Sequence, residues 1–454
     1  MDRKTNVTDF TEGNVAGKLV RFATPLFLSS LLQIVYNTVD MVIVGNKMGK
    51  VGLSAVSVGG DVLNFLTFVA MGFANAGQVI IARMTGEGEE EKKKIGRFIG
   101  TMFFFLTVLS VAAGTVCFAL REPILRIMNT PKESFGEAMG YATVCMAGLI
   151  FIYGYNAMSA VLRGMGDSLR PFVFIGVASV VNVGLDLLFV MVLGMGGAGA
   201  ALGTVISQGI SFIGCAVYVI KKRDRYDLDL RPREFARPDG AMLGDLVKLG
   251  VPMAIKNASI SFSKLFVNSW INSYGVAVSA FAGVANKMGS IANLISNSFN
   301  AAGATMVGQN IGARKFGRIK RIILSVYAVT TSVAAVLSAA LLLFPRQIYG
   351  FFTSDSEVID IGIRFLPIAV LLFFGSAARS GMNALINGSG NYKVNFATAI
   401  LDGIVLRIGL ALLFGLALGM RETGFWLGDA LAGYTPLWIG LVFYFGGWWK
   451  RGKE

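Results

Sequence analysis

Residues 101–120 read TMFFFLTVLSVAAGTVCFAL, twenty consecutive residues without a charge, and runs of this kind constrain the chain more than any other feature. A helix rising 1.5 Å per residue needs about 20 apolar residues to cross a hydrocarbon core of about 30 Å. The sequence parses into twelve such stretches, near 20–45, 53–82, 97–120, 137–161, 171–194, 199–220, 246–273, 278–308, 320–344, 360–386, 394–418 and 424–449. Strands of a membrane barrel would alternate apolar and polar residues over about ten positions, which the uninterrupted runs exclude. With 54% hydrophobic and only 15% charged residues, the expected fold is an all-α polytopic membrane protein of twelve transmembrane helices.

The chain carries 41 Lys and Arg against 27 Asp and Glu, a net charge of +14. Most of the basic residues fall on one side when the N-terminal segment, the loops after even-numbered spans and the C-terminal segment share that side. This bias predicts cytoplasmic N- and C-termini in a multi-pass protein of the cell (inner, cytoplasmic) membrane. It leaves no basic surplus that calls for nucleic acid as a partner. The N-terminal segment MDRKTNVTDFTEGNVAGK has no short apolar core and no small-residue cleavage site, so no signal peptide is expected to be removed. Cys117, Cys145 and Cys215 stand singly in apolar runs, which argues against disulfides and zinc. Histidine is absent, so proton chemistry must use carboxylates, and histidine-based metal sites and triads are excluded. There is no GxxxxGK[ST] loop for ATP hydrolysis, and no cofactor is expected.

The polar stretch KKRDRYDLDLRPREFARPDG (221–240) divides the spans six and six. The expected domains are an N-terminal lobe at 1–220, a cytoplasmic linker at 221–243 and a C-terminal lobe at 244–454. Shifting the second half back by about 226 residues lays GDLVKLGVP (244–252) on GKLVRFATP (17–25), and SFNAAGATMVGQNIGARK (298–315) on GFANAGQVIIARMTGEGE (72–89). INGSGN (386–391) falls on LRGMGD (162–167), and LGMR (418–421) on LGMG (193–196). Six helices per half give the halves one topology, a pattern of transporters whose two pseudo-symmetric lobes rock around a central site. Pro25 and Pro252 occupy equivalent positions, and each removes a backbone hydrogen bond, so both helices are expected to bend.

Ionisable residues at membrane depth are costly and mark function by default. Asp40, Asp61, Asp186, Asp402 and Asp429 lie inside the expected spans, with Lys248, Lys256, Lys264, Lys287, Arg364, Arg379 and Arg407 within or at the ends of spans. Lys248 and Arg364 can snorkel to water from helix ends. Tyr36 precedes Asp40 by one helical turn in QIVYNTVDMVIV, and Asn182 precedes Asp186 by one turn in VVNVGLDLLF. Two carboxylates, an amide and nearby hydroxyls form a hard-oxygen set that suits either Na⁺ or a shared proton.

The 6+6 repeat, the Pro25 to Asp40 stretch, VGQNIGA (307–313), LRGMGD and the Asn182/Asp186 pair resemble the MATE (multidrug and toxic compound extrusion) transporters, in particular their DinF-type branch. The resemblance covers essentially the whole chain. It implies an ion-coupling cluster of Asp40, Asn156, Asn182, Asp186 and Thr204, with Tyr36 beside it. Na⁺, if it is the ion, would be held by Asp40, Asn182, Asp186 and Thr204. It also implies a hinge at Pro25 and a cation-coupled (H⁺ or Na⁺) secondary active exporter of amphipathic small molecules, acting as a monomer among membrane lipids. Another MATE branch carries acids in helices 7 and 10. Here those helices read MAIKNASISFSKLF and LLFFGSAARSGMNALING, with Lys256, Lys264 and Arg379 instead, so ion coupling is not expected through the C-terminal lobe.

Applied to the N-lobe cluster, the repeat offset puts Arg407 at the place of Asn182 and Asp429 at the place of Thr204. A buried Arg407–Asp429 salt bridge is therefore expected, because either charge alone would be strongly destabilising. Lys256, Lys264 and Arg379, with Asn37 of the N-terminal lobe, are the candidate substrate-cavity residues, and a cationic wall would favour a carboxylate or phosphate on the substrate. The competing expectation is that these side chains snorkel or pair with Asp61 or Asp402. Among other functions, a flippase of lipids or lipid-linked substrates from the same superfamily is the nearest alternative. An intramembrane di-aspartyl enzyme built on Asp40 and Asp186 would leave the repeat unexplained, and a channel would need a continuous polar path.

Overall fold

The computed structural model describes residues 7–230, 234–235 and 237–450. The first six residues, part of the 221–243 linker and the last four residues lie outside the described set. Among the described residues there are helices and no strands. The segment Val15–Glu87 is helical throughout except at Gly49, whose φ of 59° breaks it into two spans, here α1 (15–48) and α2 (50–87). There follow α3 (Ile95–Ala119), then α4, made of Phe135–Ala147 and Leu149–Gly164 bent by 52°, then α5 (Leu169–Val192) and α6 (Gly196–Lys221). The second half consists of α7 (Gly240–Asn272), α8 (Val276–Gly312), α9 (Gly317–Leu343), α10 (Ser356–Gly388), α11 (Tyr392–Ala417) and α12 (Arg421–Ala432 with Thr435–Phe445). By length and apolarity alone seven continuous helices qualify as spans, or eight with the bent α4. The remainder are the second span within Val15–Glu87, the polar-interrupted α7 and α8, and the two-piece α12. Large apolar side chains such as Val180, Val192, Leu265 and Phe445 stand exposed on these helices, as a lipid-facing surface allows.

The internal repeat is written into the backbone. Left-handed φ values recur at Gly49 and Gly275, Gly88 and Arg314, Gly166 and Gly390, Gly194 and Gly419, and Gly196 and Arg421. Asp167 Oδ1 accepts from the Arg170 N–H at 3.2 Å to start α5, and Asn391 Oδ1 accepts from the Val394 N–H at 3.1 Å to start α11. A Cβ at Gly164 would lie 2.8 Å from the Gln78 carbonyl oxygen, and one at Gly388 would lie 2.5 Å from that of Ala304. The LRGMGD and INGSGN segments thus cap the next helix and let α4 approach α2, and α10 approach α8, as small residues do inside membranes.

The compact units are divided beside the two prolines and not at the linker. One unit takes in Leu28–Gly250, and the other takes in Phe10–Phe27 together with the chain from Val251 onward. The reason is packing. Phe10, Leu19, Phe22 and Leu26 are buried in a cluster with Phe299, Met306, Ile322, Leu385 and Phe443. Gln309 Oε1 accepts from the Phe10 N–H at 2.9 Å, and Asn310 Nδ2 donates to the Phe10 carbonyl at 3.1 Å. Equivalently, Gly250 near the start of α7 packs on Phe73 of α2. The α1 and α7 helices each change unit beside their prolines, Pro25 and Pro252.

The linker also packs on the first unit rather than running free. Gly96 and Gly100 of α3 leave room for the backbone of Asp229 and Glu234, and Phe235 stacks near Phe103. Asp239 accepts from the Met242 and Ala241 N–H groups and pairs with Arg97 at 2.9 Å. These contacts, led by the Met242 N–H, hold its carboxyl below the usual carboxylate range.

Candidate functional site

Within the first unit, α1 and α5 bring Asp40 and Asp186 together. Both are buried, Asp186 completely, and their carboxyl groups interact with each other. Asp40 Oδ1 and both oxygens of Asp186 have no hydrogen-bond partner among the described residues. Ionised carboxylates only accept, so two of them facing each other lack the donor or cation that would join them. Asn182, one turn before Asp186, is equally buried, and its amide is unpartnered at both ends. An apolar cluster of Ile43, Val44, Tyr141, Cys145, Val190 and Ala200, with Val39 and Val183 against it, is built from residues flanking the pair on α1 and α5 and from α4 and α6, and apolar packing of this kind keeps the local dielectric low.

Helix α6 shapes this pocket through a glycine. A Cβ at Gly203 would lie 2.3 Å from Asp186 Oδ1 and 3.5 Å from Asn182 Nδ2, so only glycine leaves room for the carboxylate. Asp186 also ends the α-helical part of α5, and Leu187–Val192 continues as a π-helix, a distortion often found at functional sites. Tyr36 is half-buried on α1, interacting with Asp40 and with Gln208 of α6. Thr204 is half-buried beside Gly203 and donates to the Ala200 carbonyl at 3.2 Å, leaving its oxygen able to accept or ligate. Asn156 of α4 donates to the Ile152 carbonyl at 2.8 Å. The structure therefore joins Asp40, Asp186, Asn182 and Tyr36, whereas the side-chain bonds of Asn156 and Thr204 stay within their own helices. Asn37 is exposed on α1. Gly203 and Gln208 did not emerge from the sequence; glycines are too numerous, at 56, for one of them to stand out.

The unpaired oxygens meet the chemical requirement for a small hard cation, since Asp40, Asp186 and Asn182 offer oxygen ligands without histidine or cysteine. Among the described residues no group of three or more His, Cys, Asp or Glu side chains is positioned for a metal.

In the second unit Arg407 is buried between two acids. It binds Asp402 at 3.0 Å and also donates to Asp429 of α12. The Asp402 contact spans five residues, and it exists because Leu401–Val405 of α11 is π-helical, a geometry that stacks residues five apart. Ser263 of α7 donates to the Gly403 carbonyl, closing α7 onto α11. Lys256 of α7 donates to Asn383 Oδ1 of α10 at 2.6 Å. Arg379 of α10 reaches the space beside Gly433, where an added Cβ would meet its guanidinium at 2.8 Å. Lys264 lines a small crevice together with Asp429, Trp426 and the amides of Asn268, Asn286 and Asn293. Lys287 and Arg364 are exposed.

Pro25 lies inside α1 without leaving helical geometry, because Gly49 holds the one non-helical φ/ψ pair within Val15–Glu87.

A family model described as MatE matches residues 25–188 and 252–413, the two stretches related by the internal repeat. The chain is 31% identical over 447 residues to the Bacillus subtilis (strain 168) protein named probable multidrug resistance protein YpnP, covering 98% of both chains. Among solved structures it matches a MOP superfamily transporter from Pyrococcus furiosus, whose binding pocket is described as being of reverse polarity and suggesting a different function. That match has a TM-score of 0.88 at 22% identity, over 99% of this chain and 100% of the other. An outward-facing multidrug resistance MATE family transporter of the same superfamily matches with a TM-score of 0.87 at 23% identity, over 97% of each chain.

Proposed function

Because the chain belongs to the MATE family of transporters, a family of twelve helices in two lobes, we propose that it is a secondary active exporter in which H⁺ or Na⁺ drives amphipathic small molecules out across the cytoplasmic membrane, with both termini in the cytoplasm. The observation that carries this reading is the buried Asp40 and Asp186 pair, whose facing oxygens lack a donor. Bare, the two carboxylates repel across a low-dielectric pocket; a proton on one of them, or a Na⁺ between them, removes that repulsion and draws α1 toward α5. Asn182 and the Thr204 hydroxyl supply further oxygens to the ion, and Tyr36 supplies a hydroxyl beside Asp40. The first half of α1 belongs to one unit and the second half to the other, so the position of α1 links ion occupancy to the exchange of access between the two sides of the membrane. The multidrug names of the B. subtilis relative and of the outward-facing structure support drug-like amphiphiles as the substrate class.

Proteoliposomes loaded with the purified protein and presented with a pyrene-labelled amphiphile test this directly. Concentrative transport is expected to stop when the pH and Na⁺ gradients are both collapsed, and to be lost in Asp40→Asn and Asp186→Asn while downhill exchange persists. Undiminished concentrative transport in both variants would overturn the coupling assignment.

A further inference from the structure

We propose that the crevice of the second unit around Lys264 is a binding site for the anionic group of an organic amphiphile; this rests on the transporter reading and specifies its substrate class. Helices α7, α10, α11 and α12 gather Lys256, Lys264, Arg379 and Arg407, and the acids interacting with them are Asp402 and Asp429. Four cations against two anions leave a surplus of positive charge in a half-buried setting. Arg407 bonds both acids, and this triad keeps one net negative charge against the three remaining cations. Lys256 is satisfied by the neutral Asn383 amide, and Arg379 keeps a buried Nε without an acceptor among the described residues.

Of these four cations, Lys264 is the one that lines the crevice. It has no ion-pair partner among the described residues, and it lines the crevice with Asn268 one turn on and with Asn286 and Asn293 of α8. Asn293 is oriented, because its oxygen accepts from Ser376 at 2.9 Å and so its NH₂ end faces away from that bond. Asp429, the one acid on the wall, shares Arg407 with Asp402 and also faces Lys264, so it repels a second anion less than a bare carboxylate would. An ammonium with amide donors recognises a carboxylate, sulfonate or phosphate, and the indole of Trp426 supplies an apolar wall for the rest of the molecule.

The test uses three probes that differ only in their head group: pyrenebutyrate, pyrenebutanol and pyrenebutyl-trimethylammonium. Each is titrated onto the full-length protein in phosphatidylcholine nanodiscs, with empty discs as reference and no ion gradient, so a failure of coupling does not affect the readout. The carboxylate is expected to bind about tenfold tighter than the ammonium, as one charge-assisted hydrogen bond would give. Lys264→Gln is expected to remove that advantage while leaving the alcohol unchanged, and Lys264→Arg to keep it. If Lys264→Gln does not fold, Asn286→Asp, at an exposed position of α8, takes its place and should weaken the carboxylate alone. Equal or tighter binding of the ammonium by the wild type, or a loss shared by all three probes in the variants, would overturn the proposal.

Discussion

A methyl group at Gly203 would stand 2.3 Å from Asp186 Oδ1, closer than any real contact, so Gly203→Ala must push the carboxylate away from Asp40. The expected outcome is a folded protein, seen as a monodisperse peak in detergent, whose gradient-driven transport falls by about tenfold or more, since small misplacements of acting groups carry such losses. The Arg407 site behaves differently because it is a charge triad. Arg407→Ala leaves Asp402 and Asp429 buried without a counter-charge, and the thermal unfolding midpoint should drop by an amount matching roughly 3–5 kcal/mol. Combining Arg407→Met with Asp402→Asn and Asp429→Asn should recover most of that loss. Sequence spacing points from Arg407 to Asp429 but not to Asp402, because residues five apart lie on different faces of an α-helix. The π-helical Leu401–Val405 segment brings them together, and no residue in LDGIV announces it. Asp40, Asn182 and Asp186, by contrast, are legible as polar residues that apolar spans have no other reason to contain.

At the scale of elements, α1 is the part on which the coupling account depends. It runs through Pro25 in helical geometry, yet its first half is buried in one unit and its second half carries Asp40 in the other. Proline lacks the N–H that would tie its turn to the preceding one, so bending there is cheaper than elsewhere in the helix. Pro25→Ala is therefore expected to slow export several-fold while equilibrium binding of the pyrene probes stays within about twofold, a split that parallel transport and titration measurements would show. Unchanged transport would remove Pro25 from the mechanism. The change of unit by α1 and α7 could not be read from the linker, which marks where the polar sequence lies and not where the helices pack. The buried partners Phe299, Met306 and Phe443 are distant in sequence, and only the tertiary structure connects them with Leu19 and Phe22. The repeat itself was legible, since the glycines of LRGMGD and LGMG that take left-handed φ have counterparts at the matching places.

For the whole molecule, the twelve spans follow from apolar runs, and the boundaries shift by only a few residues, except that the first two spans meet at the non-helical Gly49 with no loop between them. Part of the net charge of +14 lies in a cationic group of the second unit that sequence alone could not place, because whether a lysine snorkels or faces a crevice is decided by packing. On the proposed reading, the acid pair of the first unit takes a cation and the positive surplus of the second unit takes an anion. The most direct test of coupling through Asp40 and Asp186 is reciprocal: an imposed amphiphile gradient across proteoliposomes, with H⁺ and Na⁺ movement recorded by dye and by ²²Na⁺. The wild type should move one of these cations uphill, and the Asp40→Asn/Asp186→Asn double variant should move neither while still exchanging amphiphile. Cation movement of equal size in the double variant would contradict the account.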